Sequence, residues 1–340
     1  MQLNPPFLVF LGDAARISDA KTGCGLRDWR GDDCIGQLRL TPQTADIGLP
    51  DLSIEAAIEA GAQSMVIGVA PLGGRIPQAW RVSLVAAAQR GLDIVNGLHD
   101  RLTEDPELVA AASRSRSRLI DLRVPPADLR VGTGAKRSGT RLLTVGTDCA
   151  VGKKYTALAI TAALRSRGAS ADFCATGQTG IMISGRGVPL DCVPCDFISG
   201  VIEALSPDQP AQHWDIIEGQ GSLFHPSYAG VSLGLLHGAQ PDAIIVCARA
   251  GAIALDDLPE FPLPSLAACA DLNLYHARLT NPKARLVGIS LNTEGMDDVQ
   301  ADEVCSALEA ELKVPALDPL RHGMDEIAKN CLSMLPASEA

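Results

Sequence analysis

Short apolar runs alternate with segments of helical spacing along the whole chain. In the first 125 residues, five apolar runs predict strands, and three segments with apolar residues at every third or fourth position predict helices. The predicted strands are 7–12, 34–38, 64–69, 92–95 and 118–122, and the predicted helices are 53–60, 77–90 and 106–113. This alternation is typical of a parallel sheet with helices on its faces.

The same alternation resumes at residue 141. The predicted strands are 141–145, 171–175, 215–218, 243–248, 286–291 and 314–317, and the predicted helices are 152–167, 197–205, 228–237, 265–274, 298–312 and 322–334. Residues 126–140 contain several Pro and Gly residues together with Lys and Arg, a composition typical of a linker. The pattern therefore predicts two α/β domains, residues 1–125 and 141–340, joined by a linker over 126–140.

A phosphate-binding loop is predicted between the first strand and the first helix of the second domain. The apolar run 142–145 leads into Gly146-Thr147-Asp148-Cys149-Ala150-Val151-Gly152-Lys153, which opens an apolar-periodic segment. In the order strand, glycine-bounded loop and helix, the N–H groups of the loop and the positive end of the helix dipole meet at one point. We expect a phosphate or pyrophosphate there, held also by the charge of Lys153.

Lys154 departs from the usual pattern of such loops. The usual residue after the lysine is Ser or Thr, whose hydroxyl ligates Mg²⁺. A second cation is a poor neighbour for Mg²⁺, and Thr156 lies too far along the predicted helix to replace the missing hydroxyl. The loop is therefore predicted to hold phosphates without a metal ion.

Composition and charge restrict the classes of partner. The 340 residues are 46% hydrophobic and 20% charged, as in an ordinary globular protein. The net charge of −11 argues against a nucleic-acid partner, because few cations are available to neutralise a phosphate backbone. No apolar run approaches the ~20 residues that cross a bilayer.

The ten cysteines lie mostly within apolar segments. This placement indicates reduced thiols and, with an N-terminus that lacks the pattern of a secretion signal, a cytoplasmic location. Cys192 and Cys195 form one Cys-x-x-Cys pair, which without a second pair is a weak signal, so no metal site is predicted.

Three residues near the loop are candidates for acid–base chemistry. Glu218 ends a buried strand and precedes Gly219-Gln220-Gly221-Ser222, so its carboxylate is expected near the phosphate loop, where it can ligate a cation or accept a proton. His225 titrates near neutral pH when unperturbed. Asp148 lies within the loop, where a carboxylate repels phosphate and more readily faces a cation or an N–H group. Asp196 precedes a predicted helix and is expected to be its N-cap.

Two further segments offer groups that suit a polar substrate. Gln178, Thr179 and Gly180 lie in a small-residue loop whose N–H groups suit a carboxylate, although an ordinary turn has the same composition. Lys21, Arg27 and Arg30 concentrate positive charge in the first domain, where arginine forks suit carboxylates and a solvated charged loop is the alternative.

The phosphate loop and Glu218-Gly219 resemble those of dethiobiotin synthetase and its relatives, except at Lys154. A broader resemblance covers nearly the whole chain. The matching blocks are 19–22, 68–74, 96–99, 146–153, 176–180, 196–197 and 218–223. They are similar to a family catalogued as a domain of unknown function, with an N-terminal Rossmann-like domain and a C-terminal P-loop domain of three α/β/α layers, whose members include bacterial D-glutamate N-acetyltransferases.

This resemblance implies acetyl-CoA as the acetyl donor and D-glutamate as the acceptor. Acetyl transfer needs no Mg²⁺, which agrees with Lys154 in the loop. The CoA phosphates are expected on Gly146, Thr147, Ala150, Val151, Gly152, Lys153, Lys154 and Tyr155. Glu218 is the first candidate for the base, with His225 and Asp148 in reserve. The substrate is expected to contact Gln178, Thr179, Gly180, Gln220, Ser222, Lys21, Arg27 and Arg30.

Two other functions stay open on the sequence alone. An ATP- and Mg²⁺-dependent kinase or ligase acting on an amino acid or a carboxylate uses the same kind of loop. A regulator that binds CoA or a nucleotide without turnover does so too. A homo-oligomer is expected, since symmetric assembly is common among such enzymes.

Overall fold

A computed structural model describes residues 3–71 and 73–335 of the chain. These described residues form two compact units, one within 1–125 together with 178–192 and one within 126–177 together with the residues from 193 onward. Leu72, which belongs to the 68–74 block, lies outside the described residues. No helix among the described residues has both the length and the apolar character that a membrane crossing requires.

The first unit is built on a parallel sheet of five strands. In chain order its elements are β1 (Phe7–Gly12), α1 (Lys21–Arg30), β2 (Cys34–Arg39), α2 (Ile54–Glu59), β3 (Ser64–Ile67), α3 (Arg81–Gln89), β4 (Asp93–Asn96), α4 (Pro106–Ser115) and β5 (Leu119–Asp121). The strand order is β2-β1-β3-β4-β5, and β1, β3 and β4 are fully buried. Right-handed crossovers place α1 on one face of this sheet and α2, α3 and α4 on the other.

The rest of the chain contains a second parallel sheet, of six strands. Its elements are β6 (Thr140–Gly146), α5 (Lys153–Ser166), β7 (Ser170–Cys174), α6 (Gln178–Ser184), α7 (Ile198–Leu205), β8 (His213–Ile217), α8 (Ala229–Ala239), β9 (Ala243–Arg249), α9 (Leu266–Thr280), β10 (Arg285–Asn292), α10 (Asp298–Leu312), β11 (Ala316–Leu317) and α11 (Asp325–Leu332). The strand order is β11-β10-β9-β6-β8-β7. The chain reverses its direction across the sheet after β7, so right-handed crossovers place α5 on one face and α7 to α10 on the other.

The strands predicted from the apolar runs are all present, with ends shifted by a few residues, and two helices appear where loops were considered. The first is α1, at the charged segment of Lys21, Arg27 and Arg30. Its buried face consists of Thr22, Gly23, Gly25 and Leu26, so the large apolar residues that indicate a helix are nearly absent. The second is α6, at Gln178, Thr179 and Gly180. It packs on α1 and belongs to the first unit, so residues 178–192 depart from the continuous second domain expected over 141–340.

Residues 126–139 pack on the second unit and do not form the free linker that their composition indicated. The Arg137 guanidinium is buried and donates to the carbonyls of Ser206 and Gly238, at the C-terminal ends of α7 and α8. Gly200 allows the close approach of this segment, because a Cβ there would lie 1.9 Å from the Arg130 carbonyl oxygen. The Pro- and Gly-rich composition therefore reflects an extended segment that lies along helix ends.

Candidate active site at the phosphate loop

The phosphate loop joins the end of β6 to the start of α5, in the middle of the second sheet. Gly152 precedes the helix with a φ of 97°, a left-handed conformation that favours glycine. Gly146 is equally constrained, since a Cβ there would lie 2.8 Å from both the Cys247 carbonyl oxygen and the Val151 side chain. These two glycines let the chain turn tightly, so that the helix begins directly beyond the strand.

Lys153 lies folded over the loop. Its ammonium donates to the carbonyl oxygens of Asp148 at 2.5 Å and Cys149 at 2.9 Å. The side chain is buried, and burial lowers the pKa of its ammonium. The lysine is thus held by loop carbonyls at the position where an incoming anion offers a stronger, charged partner.

Thr147 adds a buried hydroxyl to the loop. Its residue is 3% exposed, and among the described residues its Oγ1 atom has no hydrogen-bond partner. A buried hydroxyl without a partner costs free energy. Such an atom in a phosphate loop is consistent with a polar ligand that completes its hydrogen bonding.

The two residues after Lys153 carry a cation and an aromatic ring. The Lys154 ammonium lies 5.1 Å from the centre of the Tyr155 ring. Thr156 is turned inward, where its hydroxyl donates to the Gly152 carbonyl and contacts Ser290 at 2.7 Å. The position that holds a metal-binding hydroxyl in other phosphate loops is therefore occupied by an ammonium, and the next hydroxyl is engaged in the interior.

Glu218 follows β8, the strand next to β6, and is 4% exposed. Its Oε2 atom accepts the N–H groups of Thr176 at 2.9 Å and Gly177 at 3.1 Å. Burial raises the pKa of this carboxyl, while the Thr176 N–H, the charge of Lys154 and further partners oppose the rise. Both N–H groups donate to Oε2, so Oε1 takes no part in these two contacts.

The turn after Glu218 is tied to the neighbouring strands and to the loop. Gly219 is required there, because a Cβ would lie 1.7 Å from the Thr144 carbonyl oxygen. The Gln220 amide donates to the Thr176 hydroxyl at 3.0 Å, and the Ser222 hydroxyl donates to the Thr147 carbonyl at 3.0 Å. Gln220 and Ser222 therefore lie beside the residues at the ends of the neighbouring strands and in the loop, and both have structural partners there.

His225 and Asp148 each have one hydrogen-bond partner at both of their polar side-chain atoms. His225 accepts the Ser227 N–H on Nδ1 at 3.1 Å and meets Asp257 through Nε2 at 3.0 Å, which assigns its proton to Nε2. Asp148 accepts the Cys149 N–H on Oδ1 and the Asp256 N–H on Oδ2. These contacts make both residues weaker candidates for a base than Glu218.

Asp256 and Asp257 were missed by the sequence analysis. They follow β9, whose end lies beside the phosphate loop in the sheet. The pair of adjacent carboxylates a few residues after a buried strand was the available signal. Asp196, which the sequence suggested as an N-cap, lies in a 3₁₀ turn, and α7 begins after Phe197 without a side-chain cap.

The cationic residues of the first unit differ in their partners. Arg27 pairs with Asp28 at 2.6 Å and donates to the Ile47 carbonyl. Arg30 pairs with Asp33 at 2.6 Å and lies over the Phe7 ring. Lys21, the first residue of α1, is exposed and has no ion pair among the described residues. Of the three, Lys21 is therefore the one whose charge is unneutralised.

The residues predicted to contact substrate divide between the units. Gln178, Thr179 and Gly180 start α6 in the first unit, and the hydroxyls of Thr179 and Thr22 meet at 2.9 Å. The packing of α6 on α1 thus brings these residues into the same unit as Lys21. Gln220 and Ser222 belong to the second unit, with the phosphate loop.

Comparison with known proteins identifies relatives over nearly the full length of the chain. Residues 39–125 match the Rossmann-like N-terminal domain of unknown function DUF1611_N, and residues 130–328 match the P-loop domain DUF1611_C. A protein of Pseudoalteromonas named D-glutamate N-acetyltransferase is 46% identical over 97% of this chain and 99% of its own. One of the same name from Tritonibacter scottomollicae is 46% identical over 94% of this chain and 96% of its own.

A solved structure shares the fold. The crystal structure of a DUF1611 family protein from Anabaena variabilis has a TM-score of 0.88 and 34% identity, and it covers 97% of this chain and 100% of its own. These matches confirm the resemblance and the fold class that the sequence motifs indicated. The chain belongs to the DUF1611 family, which joins a Rossmann-like domain to a P-loop domain.

Proposed function

We propose that this chain transfers the acetyl group of acetyl-CoA to the amino group of D-glutamate. The observation that carries the proposal is the 46% identity, over 97% of the chain, to a protein named D-glutamate N-acetyltransferase. The unusual phosphate loop agrees with it. CoA brings a pyrophosphate and a 3′-phosphate for the loop to hold, and the reaction requires no metal ion at Lys154.

In the proposed site the CoA phosphates lie on the loop, held by Lys153, by the N–H groups of residues 150–153 and by Lys154. The Thr147 hydroxyl, which has no acceptor among the described residues, gains one from the ligand. Tyr155 follows at the start of α5, beside Lys154. This arrangement combines the helix dipole with two full charges, and both attract phosphate.

The proposed base is Glu218. An amino acid arrives as its ammonium form, so a proton must leave before the nitrogen attacks the thioester carbonyl. The Glu218 carboxylate accepts this proton on Oε1, while the two N–H groups hold Oε2 in place. A raised pKa makes this carboxyl a stronger base than an exposed glutamate.

The oxyanion of the tetrahedral intermediate needs hydrogen-bond donors. The N–H groups of Gly177 and Gly219 are already used, by Glu218 and by the Thr144 hydroxyl. Gly221 lies in the same turn with a φ of 60°. Its N–H and those of Gln220 and Ser222 have no acceptor among the described residues, so these three are the proposed donors.

Lys21 is the proposed contact for a substrate carboxylate in the first unit, because Arg27 and Arg30 are neutralised by aspartates. Lys21→Met is expected to raise the KM for D-glutamate by about 10- to 150-fold, which corresponds to the free energy of one hydrogen bond to a charged group. Steady-state kinetics check this prediction. Arg16→Met, at an exposed cation paired with Asp19, is the control and should leave the KM near wild type. An unchanged KM in Lys21→Met would remove Lys21 from the site.

The experiment that tests the function is incubation of the protein with acetyl-CoA and D-glutamate in EDTA, followed by mass spectrometry. N-acetyl-D-glutamate and free CoA are the expected products. A second arm offers ATP with Mg²⁺, and consumption of ATP in that arm alone would replace the proposal with a kinase or ligase. Binding of CoA without any product would indicate a regulator. The cytoplasmic location and the homo-oligomeric state predicted from the sequence stay part of the proposal.

A further inference from the structure

A thiol, an imidazole and a carboxylate meet at the phosphate loop. Asp148, Cys149 and His225 each have one potential ligand atom in this cluster, and these three atoms lie within 4.8 Å of one another. Asp148 and His225 are buried and Cys149 is partly buried. Among the described residues no hydrogen bond joins these three side-chain atoms to each other. The acetyl-transfer chemistry proposed above requires none of them, which leaves the cluster without an assigned role.

The orientation of His225 is the second observation. Its Nε2 carries the proton and donates to Asp257 at 3.0 Å, so the lone pair is on Nδ1. A histidine that binds a metal commonly donates its other N–H to a carboxylate in this way. The contact with Asp257 fixes the tautomer and raises the basicity of Nδ1, the nitrogen that carries the lone pair. The Ser227 N–H donates to that lone pair at 3.1 Å, and a metal ion would take its place.

The charges of the cluster also suit a divalent cation. Asp148, Asp257 and a Cys149 thiolate supply three negative charges. Lys153, whose ammonium lies on the main-chain carbonyls of Asp148 and Cys149, supplies one positive charge. A divalent cation therefore neutralises the net negative charge of these four side chains. A mixed set of sulfur, imidazole nitrogen and carboxylate oxygen is typical of Zn²⁺ rather than of Mg²⁺ or Ca²⁺.

We propose that Asp148, Cys149 and His225 bind Zn²⁺, with Asp257 orienting the histidine, and that the bound ion blocks the phosphate loop. Two of the three ligands belong to the loop itself. An ion that links them to His225 fixes the segment 148–149 on which the Lys153 ammonium rests. Phosphate needs that lysine and the loop N–H groups. Zinc and a phosphate ligand should therefore exclude each other, which makes the ion an inhibitor and not a cofactor.

Direct metal binding tests the site without reference to catalysis. The ligand-free protein is titrated with Zn²⁺ by calorimetry and with Co²⁺ by absorption spectroscopy. We expect one equivalent of each and a thiolate-to-cobalt charge-transfer band in the near ultraviolet, with no binding of Mg²⁺. Saturating acetyl-CoA, which has no free thiol, should weaken the apparent zinc affinity at least tenfold.

Variants assign the ligands. Cys149→Ser should abolish the cobalt charge-transfer band. His225→Gln should weaken zinc binding by at least the factor of about 10 to 100 that is usual when a residue hydrogen-bonded to a metal ligand is lost. Asp257→Asn, at an exposed residue, should weaken zinc binding within that same range. Cys195→Ser, at an exposed cysteine outside the cluster, is the matched control and should bind zinc like wild type.

Zinc affinity that is unchanged in Cys149→Ser and Asp257→Asn would overturn the proposal, as would a cobalt spectrum without a sulfur band. None of these measurements depends on acetyl transfer. A protein that binds no zinc can therefore still transfer acetyl groups. A protein that transfers no acetyl group can still bind zinc, so the two proposals are tested separately.

Discussion

Glu218→Gln is expected to lower kcat by about 10²- to 10⁴-fold, the usual contribution of a positioned general base. Glutamine keeps an oxygen for the Thr176 and Gly177 N–H groups, so the turn after β8 should stay in place. The amide cannot accept the ammonium proton. Binding of acetyl-CoA, measured by calorimetry, should stay within a factor of about two of wild type, while the rate is lost.

The same variant should change stability in the opposite sense to activity. Burial raises the pKa of Glu218 in the folded protein, so the folded protein binds this proton more tightly than the unfolded chain does. The protein then loses stability as the pH rises above the ordinary pKa of a glutamate, because the buried carboxyl group must become charged. We expect Glu218→Gln to be at least as stable as wild type at pH 8 in denaturant unfolding.

The pH dependence of turnover provides an internal check. In the wild type, kcat/KM should rise with pH as Glu218 loses its proton, with a midpoint above that of an exposed glutamate. Glu59→Gln, at an exposed helix residue of the first unit, is the control and should keep both the rate and this profile. Full activity in Glu218→Gln would show that another group accepts the proton.

Lys153→Met is expected to weaken acetyl-CoA binding by about 10- to 150-fold, since one charged hydrogen bond is lost. Methionine keeps most of the aliphatic chain that packs beside Gly219. It removes the ammonium that lies on the carbonyls of Asp148 and Cys149. The N–H groups of the loop alone do not replace the positive charge that is lost. Calorimetric titration with acetyl-CoA in EDTA measures the change.

Lys154→Met is the matched comparison for this prediction. Lys154 lies one residue further along α5 and beside the Tyr155 ring, so its contribution is expected to be the smaller of the two. A dissociation constant that is unchanged in Lys153→Met would mean that the phosphates do not lie on this loop. Far-ultraviolet circular dichroism of both variants shows whether the fold is kept.

The region from β6 to α5 was predictable because its signals are local. A buried apolar run, two constrained glycines and a lysine follow one another within a dozen residues, and the structure places them as strand, loop and helix. Glu218 was predictable for a similar reason, as a polar residue at the end of a buried strand. The pairing of β6 with β8 then brings it to the loop.

Other features depend on contacts between distant parts of the chain. The buried face of α1 has Leu26 as its one large apolar residue, because the helix packs closely at Gly23, next to Val9 and the Gly68 carbonyl. The assignment of α6 to the first unit depends on its contact with α1, such as that between Thr179 and Thr22, 157 residues apart. The spacing of apolar residues within one segment indicates neither the close packing of α1 nor the contact between α6 and α1.

Side-chain partners were the least accessible to sequence analysis. Lys21, Arg27 and Arg30 look equivalent as cations, yet Asp28 and Asp33 neutralise the two arginines. Asp257 and His225 are 32 residues apart, and only the fold shows that they form a hydrogen-bonded pair. Composition therefore identified the charged groups but not which of them are available to a ligand.

The central claim is that residues 146–154 hold the phosphates of acetyl-CoA without a divalent metal. A crystal structure of the protein with an unreactive acetyl-CoA analogue, grown in EDTA, tests it most directly. The claim predicts phosphate oxygens within hydrogen-bond distance of the N–H groups of residues 150–153 and of the Lys153 ammonium. An analogue bound with its phosphates elsewhere, and with the loop vacant, would contradict it.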